Sequence, residues 1–494
     1  MPCLYLLLTV WAGCVTVDIL PDDVILNIFH FVRLIYADLG HLAKLPNGVS
    51  FYAGERDLIE WRRSWWYPLI HVCREWRSVI FASPNFLDLR LVCVPYTRIE
   101  LIGIWPPFPI IIRNNFRPMP DDYDFDAAIV HRNRVCEIDL RLTSLQLKRW
   151  APAMQEQFPA LRHFKFCIHS NDRPLPSALP DGFLGGSAPN LQSLSLRNIP
   201  FPALPKLLLS ATDLVSLFLW YTPHSGYNPP EVISAALAAL INLKSLTIGF
   251  DRPESPPNQE RRRLPCTVLP ALTSFTFRGA SEYTEVLVAR VDAPLLGYIS
   301  MSFFYQPIFD TPQLAQFMRR ATGLKALNEA CVDFRPYEVG VEFFSTGTFR
   351  KASSLNIPCK GLQSQLSSLA QLLTPFFPSI YTVEHLYIHW RDPRLLGPMP
   401  QDEMENLQWL ETFQSFAKVK NFYVSERFVQ GITHSLRELV EGRLMDVFPA
   451  LESLFLEGFQ SSGPVQETIG QFVAARQLSG HPVTVSHWDK PEGY

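Results

Sequence analysis

The sequence predicts an α/β protein: a small all-helical module followed by an irregular solenoid, a curved and mostly parallel sheet with helical return segments. Three observations predict it. A six-residue figure (apolar, two variable, apolar, one variable, apolar) starts twelve times between Val135 and Leu456, with successive copies beginning 23 to 36 residues apart. Many of the 42 prolines stand just before a copy, as in FPAL, APNL, LPAL and APLL. Residues 18–92, by contrast, space their apolar side chains by three and four, the period of a helix.

Residues 1–17 form an apolar N-terminal segment. Its run LYLLLTVWAGCVTV carries small residues at Ala12 and Gly13, as a secretory h-region does, yet Met-Pro-Cys before it holds no Lys or Arg. Two readings stand: a cleaved signal, or an apolar strand or helix packing on the neighbouring domain, which the missing basic residues favour.

In DILPDDVILNIFHFV, Pro21 suits a first helical turn, and Asp22 and Asp23 set negative charge at the positive end of the helix dipole. Val24, Ile25, Ile28, Phe29 and Val32 then form one broad apolar face. A second helix is expected from near Pro68 in YPLIHVCREWRSVIFASP, with Leu69, Val72, Cys73, Trp76, Val79 and Ile80 as its stripe and Ser83-Pro84 as its stop. Two such helices are too few to enclose a core. Some apolar surface must be covered by the solenoid or by another protein, and Leu20-Pro21 with its apolar followers is the natural docking edge.

LPDDVILNIF followed by LIHVCREWRSVIF resembles an F-box. With SPNFLDLRLVC and WPPFPIII (Trp105 to Ile112), the run is similar to the mushroom-type fungal F-box proteins. The Leu-Pro pair opening the first helix maps to Leu20 and Pro21, and the apolar-x-x-V-C-x-x-W core of the last to Leu69, Val72, Cys73 and Trp76. The resemblance implies docking to a Skp-type adaptor and, through it, to a cullin scaffold. The implied contacts are Leu20, Pro21, Val24, Ile25, Ile28, Phe29, Leu69, Val72 and Trp76. The F-box likeness is confined to this N-terminal run; the later repeats match in style only. An insert at 34–65, ending in WRRSWW, is longer than in a compact F-box and bears on whether the docking face is open.

After a connector at 93–134, the solenoid is expected over 135–494. L-x-x-L-x-L with one buried strand per 20–50 residues is the strand of a leucine-rich repeat. The clearest copies are LQSLSL from Leu191, LVSLFL from Leu214, LKSLTI from Leu243, LTSFTF from Leu272 and LESLFL from Leu451. Weaker ones start at Val135, Leu161, Leu296, Leu324, Ala352, Val383 and Val419, and only Glu329 breaks the apolar pattern. Unit length varies, and the Asn ladder of regular repeats is missing from nearly all units. Helices are expected in the return segments 230–242, 311–322 and 402–418. A final helix and strand (GPVQETIGQFVAARQLSG, PVTVSHW) should form the C-terminal cap.

The three apolar residues of each copy should point into the stack, leaving the fifth and seventh positions on the concave side. Arg141, Arg197 and Arg278 recur there with Phe218 and Trp220, and aromatics and arginine are enriched at binding hot spots. These five are the candidate target contacts.

The excluded chemistry is broad. A net charge of −3 opposes polyanion binding, and the RRR run at Arg261 to Arg263 reads as a solvated loop, so no nucleic-acid partner is expected. No stretch of about 18 apolar residues exists, so no membrane span is expected. Nine cysteines form no CxxC pair, and no Asn-x-Ser/Thr occurs, which suits an intracellular protein of the cytoplasm or nucleus. His385 and His389 share a strand side without a third ligand, and PDDYDFD (Pro120 to Asp126) reads as an acidic loop. No P-loop, nucleophile elbow or dinucleotide fingerprint occurs. No catalytic residue, metal or cofactor is expected, and the chain is not expected to be an enzyme. The expected function is the substrate-recognition subunit of an SCF-type ubiquitin ligase, holding a target protein on the solenoid. An F-box/repeat scaffold acting outside a ligase is the alternative.

Overall fold

A computed structural model of the protein describes residues 20–42, 65–93, 106–114, 129–168, 177–251, 266–304, 308–324, 327–345, 348–376, 378–391, 409–440, 445–458 and 464–489. The segment 1–17, residues 43–64 of the insert, the acidic loop 120–126, the arginine run 261–263 and residues 402–408 lie outside them. The architecture is α/β, with a long, mostly parallel sheet and helices. The chain divides into two compact units, one within residues 1–175 and 182–190, the other within 176–181 and 191–494. The division falls inside the expected solenoid, so the first two repeat copies group with the N-terminal helices.

In the first unit, α1 (Asp22–Leu42) runs well past the apolar face that predicted it and into the expected insert. The second helix is shorter than expected. A 3-10 turn at Leu69–His71 is followed by a break at Cys73, whose extended backbone (φ −152°, ψ 172°) lets its Sγ accept from the Trp76 N–H. Only then does α2 (Arg74–Ala82) begin, capped by that cysteine. Ile25 and Phe29 of α1 pack with Trp65, Trp66, Leu69, Ile70, Val79, Ile80, Leu87, Leu89 and Phe108. Phe108 makes 93–134 more than a connector: it closes the helical core, and the residues after it form a strand.

That strand, β2 (Ile110–Arg113), pairs in parallel with β1 (Leu91–Cys93) on one side and β3 (Val135–Leu142) on the other. A capping box at Thr143 and Gln146 starts α3 (Ser144–Trp150), and β4 (His163–Ile168) then pairs with β3.

The second unit repeats a strand followed by a return segment. Its strands begin with β5 (Ser193–Arg197), β6 (Ser216–Thr222), β7 (Ser245–Phe250), the short β8 (Thr267–Val268), β9 (Ser274–Gly279), the short β10 (Val291–Asp292) and β11 (Tyr298–Phe303). They continue as β12 (Leu327–Arg335), β13 (Glu338–Ser345), β14 (Thr348–Ile357), β15 (His385–Trp390), β16 (Asn421–Val424), β17 (Ser453–Leu456) and β18 (Thr484–His487). Between them lie α4 (Leu204–Leu208), α5 (Pro230–Leu237), α6 (Ser281–Val288), α7 (Pro312–Arg320) and α8 (Leu362–Phe376). Nearer the C-terminus come α9 (Trp409–Phe413), α10 (Glu426–Val440) and α11 (Pro464–Leu478). Helices α5, α7 and α9 lie within the three return segments expected to be helical, and the last helix and strand fall where the tail sequence places them.

The prolines before the copies have a local cause. The first apolar residue of a copy donates its N–H to the carbonyl three residues back: Leu161 to Phe158, Leu272 to Leu269, Leu296 to Ala293 and Leu451 to Phe448. Pro159, Pro270, Pro294 and Pro449 each follow that acceptor, the turn position for which proline's fixed φ is pre-set. Leu214, Leu243, Val383 and Val419 make the same bond without proline. Within a copy the fourth and sixth residues, such as Leu194 and Leu196 or Phe275 and Phe277, are buried against the return segments. Phe275, for example, meets Phe317 of α7 with ring centres 6.2 Å apart. Third, fifth and seventh residues fall on the other, open face of the sheet.

Copies eight and nine depart from a simple stack. Strand order in the second unit is β5-β6-β7-β9-β11-β14-β13-β12-β15-β16-β17-β18. The ninth copy (β14) therefore sits beside the seventh, the eighth (β12) beside the tenth, and the antiparallel β13 lies between them. Glu329, the one polar residue in an apolar slot, marks the place. A bulge between Leu327 and Glu329 shifts the register, leaves Glu329 half-buried and puts Ala330 into the core instead.

Candidate functional site

Two surfaces stand out, one in each unit. The first is α1. Its opening residues follow from Pro21, whose carbonyl accepts from the Val24 and Ile25 amides. The face read as one apolar stripe is split. Phe29 is 1% exposed and meets the Trp76 ring edge-on at 4.9 Å; Ile25 is buried beside it. Val24, Ile28, Phe31 and Leu34 point outward, 37%, 45%, 63% and 49% exposed. The offsets 24, 28 and 31 put three of them on one side of a helix. Arg33 and Asp88 pair beside this surface at 3.4 Å.

Of the expected adaptor contacts, Pro21, Val24, Ile28 and Val72 are exposed, and Leu20 and Trp76 are half-buried. Ile25, Phe29 and Leu69, expected at the docking surface, are instead buried in the helical core. Phe31 and Leu34 escaped the sequence reading because Val32 continues the inner stripe, whereas the 3.6-residue period carries 24, 28 and 31 to the outside.

The second surface is on the open face of β5 to β9. Four of the five expected target contacts converge there. Arg197 and Trp220 are register partners, as are Gly249 and Arg278. Phe218 and Trp220 stack with ring centres 6.0 Å apart. Their position depends on two backbone features. A bulge between Leu219 and Thr222 in β6 puts Tyr221 into the left-handed region (φ 53°), which costs a non-glycine residue about 1–3 kcal/mol. Gly249 then leaves room for the Trp220 indole, whose Cε3 lies 2.5 Å from where a Cβ would stand.

Tyr221, which the repeat pattern did not single out, is the centre of the cluster. The Arg197 guanidinium lies 5.4 Å from its ring centre and that of Arg278 5.2 Å. Arg278 also lies 5.9 Å from the Phe304 ring. Among the described residues neither guanidinium is paired with a carboxylate, and the buried Nε of Arg278 has no hydrogen-bond acceptor. The fifth expected contact, Arg141, belongs to β3 in the first unit. Its backbone is clamped by Asn114, which donates to the Arg141 carbonyl at 2.6 Å and accepts from its N–H at 2.7 Å.

His385 and His389 are absorbed structurally. The His385 Nδ1 lies 3.4 Å from the Asn421 amide. His389 is buried, stacked on Tyr387 and covered by Trp488 at 5.1 Å. Tyr387, Tyr423 and Phe455 continue as a ladder of stacked rings 4.3 and 4.5 Å apart. Among the described residues no helix is long and apolar enough to cross a membrane. No model of a known protein family and no curated protein matches the chain.

Proposed function

We propose that the chain is the substrate-recognition subunit of an SCF-type ubiquitin ligase: an F-box that docks a Skp-type adaptor, followed by a leucine-rich-repeat solenoid that holds a target protein. One observation carries the reading. A helix opened by Leu20-Pro21 is anchored through Ile25 and Phe29 while it presents Val24, Ile28 and Phe31 to solvent. Exposed apolar side chains grouped on one helix face mark a protein-interaction surface. The turn–strand–return unit repeated through β5 to β17 supports the solenoid half of the reading.

The mechanism is proximity. A target held on the open face is kept near the conjugating enzyme that the cullin scaffold recruits, so its lysines meet the thioester at high effective concentration. The transfer chemistry belongs to the other subunits.

Co-expression of the full chain with a Skp-type adaptor tests the docking. Wild type should co-purify with the adaptor, and Leu20→Ala/Pro21→Ala or Val24→Asp/Ile28→Asp should not. Unchanged recovery of the double variants would remove the docking assignment. Recovery of the adaptor without any cullin would favour a scaffold outside a ligase.

A further inference from the structure

We infer that a groove between α8 and α9, among the return segments of the second unit, is a binding site for a small aliphatic diamine. It lies apart from both surfaces described above and rests on neither the docking nor the target reading.

The groove has a volume of about 480 Å3, within the ~300–1,000 Å3 of small-molecule sites. Ser367 and Gln371 of α8 line it on one side, and Glu411 of α9 with Gln414 on the other. Tyr381, from the 3-10 turn Pro378–Thr382, adds a ring. This lining is held in place. α8 buries Leu366, Leu369, Leu372 and Leu373, which leaves Ser367 and Gln371 on its outer side. Between the helices the Thr412 hydroxyl donates to the Leu366 carbonyl at 3.5 Å. The Gln371 amide is fixed at both ends: its Oε1 accepts from the Phe309 N–H at 3.1 Å, and its Nε2 donates to Ser367 Oγ at 3.4 Å. Ile380 and Val383, both fully buried, pin the turn on either side of Tyr381, whose side chain stays 46% exposed.

The chemistry of the lining selects a cation. Glu411 is its one charged group; it is exposed, and no cation pairs with it among the described residues. A cleft with charge of one sign concentrates ions of the other. An ammonium has three donors. The Glu411 carboxylate, the Ser367 hydroxyl and the Gln414 carbonyl are acceptors of the right kind, and the Tyr381 face takes the cation or its alkyl stem. Among the described residues no three His, Cys, Asp or Glu side chains converge to hold a metal ion, so the cation is an organic one. A second charge points to a diamine. Asp310, exposed and unpaired among the described residues, follows Phe309, whose N–H is bound to Gln371. One carboxylate therefore belongs to the α8 side and one to the α9 side, with a ring and neutral polar groups between them. Two ordinary solvated carboxylates fit less well, since they need neither a locked amide nor a pinned ring beside them.

The test is calorimetric titration of the purified full chain with putrescine, with butylamine and with neutral butanediol. Putrescine should bind about tenfold more tightly than butylamine, and butanediol should give no heat of binding. Glu411→Gln should weaken putrescine about tenfold, and Asp310→Asn should bring it down to the level of butylamine. Tyr381→Ala should weaken both amines, whereas Tyr381→Phe, which keeps the ring, should not. All these side chains are exposed, so an unchanged Tm should show that each variant folds. Glu467→Gln, at an exposed position of α11, is the control and should bind as wild type does. No heat with putrescine, equal affinity for amine and diol, or binding unmoved by Glu411→Gln would overturn the proposal. So would an equal loss in Glu467→Gln, or a dilysine peptide that binds more tightly than putrescine, which would put a protein side chain in the groove instead.

Discussion

Residues 29 and 31 of α1 lie two positions apart and should behave in opposite ways. Phe29 is 1% exposed and packs on Trp76 at 4.9 Å, so truncation empties a ring-sized space in a core that also holds Trp66, Ile70 and Ile80. Phe→Ala in such a site costs about 3–5 kcal/mol. Phe31 is 63% exposed, and a substitution there should change stability by no more than about 0.5 kcal/mol. If Phe31 belongs to the docking surface, the same truncation should weaken adaptor binding by about 1–3 kcal/mol, roughly five- to 150-fold. The assays are amide exchange at Val79 and Ile80, which reports opening of the helical core, and titration with purified adaptor. Phe29→Ala should raise exchange in α2 sharply, whereas Phe31→Ala should leave exchange intact and reduce affinity. Equal exchange in both variants would refute the inside–outside assignment of α1. Unchanged affinity in Phe31→Ala would remove that residue from the docking face.

Other residues give independent checks. Arg476 on α11 is fully buried and donates to the carbonyls of Phe448, Pro449 and Leu451 at 3.2–3.3 Å. Arg476→Met should therefore cost about 2–4 kcal/mol, read as a lowered Tm, and an unchanged Tm would contradict the role. Burial pushes the Cys93 thiol up from 9.0 to about 11, with Arg134 opposing the shift. A folded-state value above the unfolded one means that this contribution is whole below pH 9 and is lost as pH rises through 11. Stability measured by denaturant from pH 8 to about 11 should fall less steeply in Cys93→Ala than in wild type. Gly249→Val should displace the Trp220 indole, seen as changed near-UV circular dichroism without loss of the far-UV signal. An unaltered near-UV spectrum would mean that the indole does not lie over residue 249.

Much of the fold was legible because its cause is local. The L-x-x-L-x-L figure needs only a strand with one buried side, and proline at the turn needs only a fixed φ, so strands such as Ser193–Arg197 and Ser453–Leu456 fall where the pattern puts them. What escaped is non-local or unsigned. Val339, Val341 and Phe343 alternate as a strand should, yet nothing in that segment says that β13 will part copies eight and nine and reverse their order. The break at Cys73 escaped because a continuous apolar stripe masks a residue that caps. At the candidate target surface, Arg197, Phe218, Trp220 and Arg278 were found from their positions in the repeat. Tyr221 was not, because a left-handed tyrosine in a bulge has no signature in sequence.

The reversed order of β12 and β14 changes how the chain can come apart. A plain stack sheds its end units one at a time, each leaving only its neighbour bare. Here β12, β13 and β14 are knitted edge to edge, and the links carrying α7 and α8 must each pass the meander to reach their strands. Neither eight nor nine can leave alone. Pulled from the C-terminus in an optical trap, the protein should release its last strands in small steps, stall, and then surrender residues 327–357 in one long rip. Three strands threaded out of turn make a clasp without a knot.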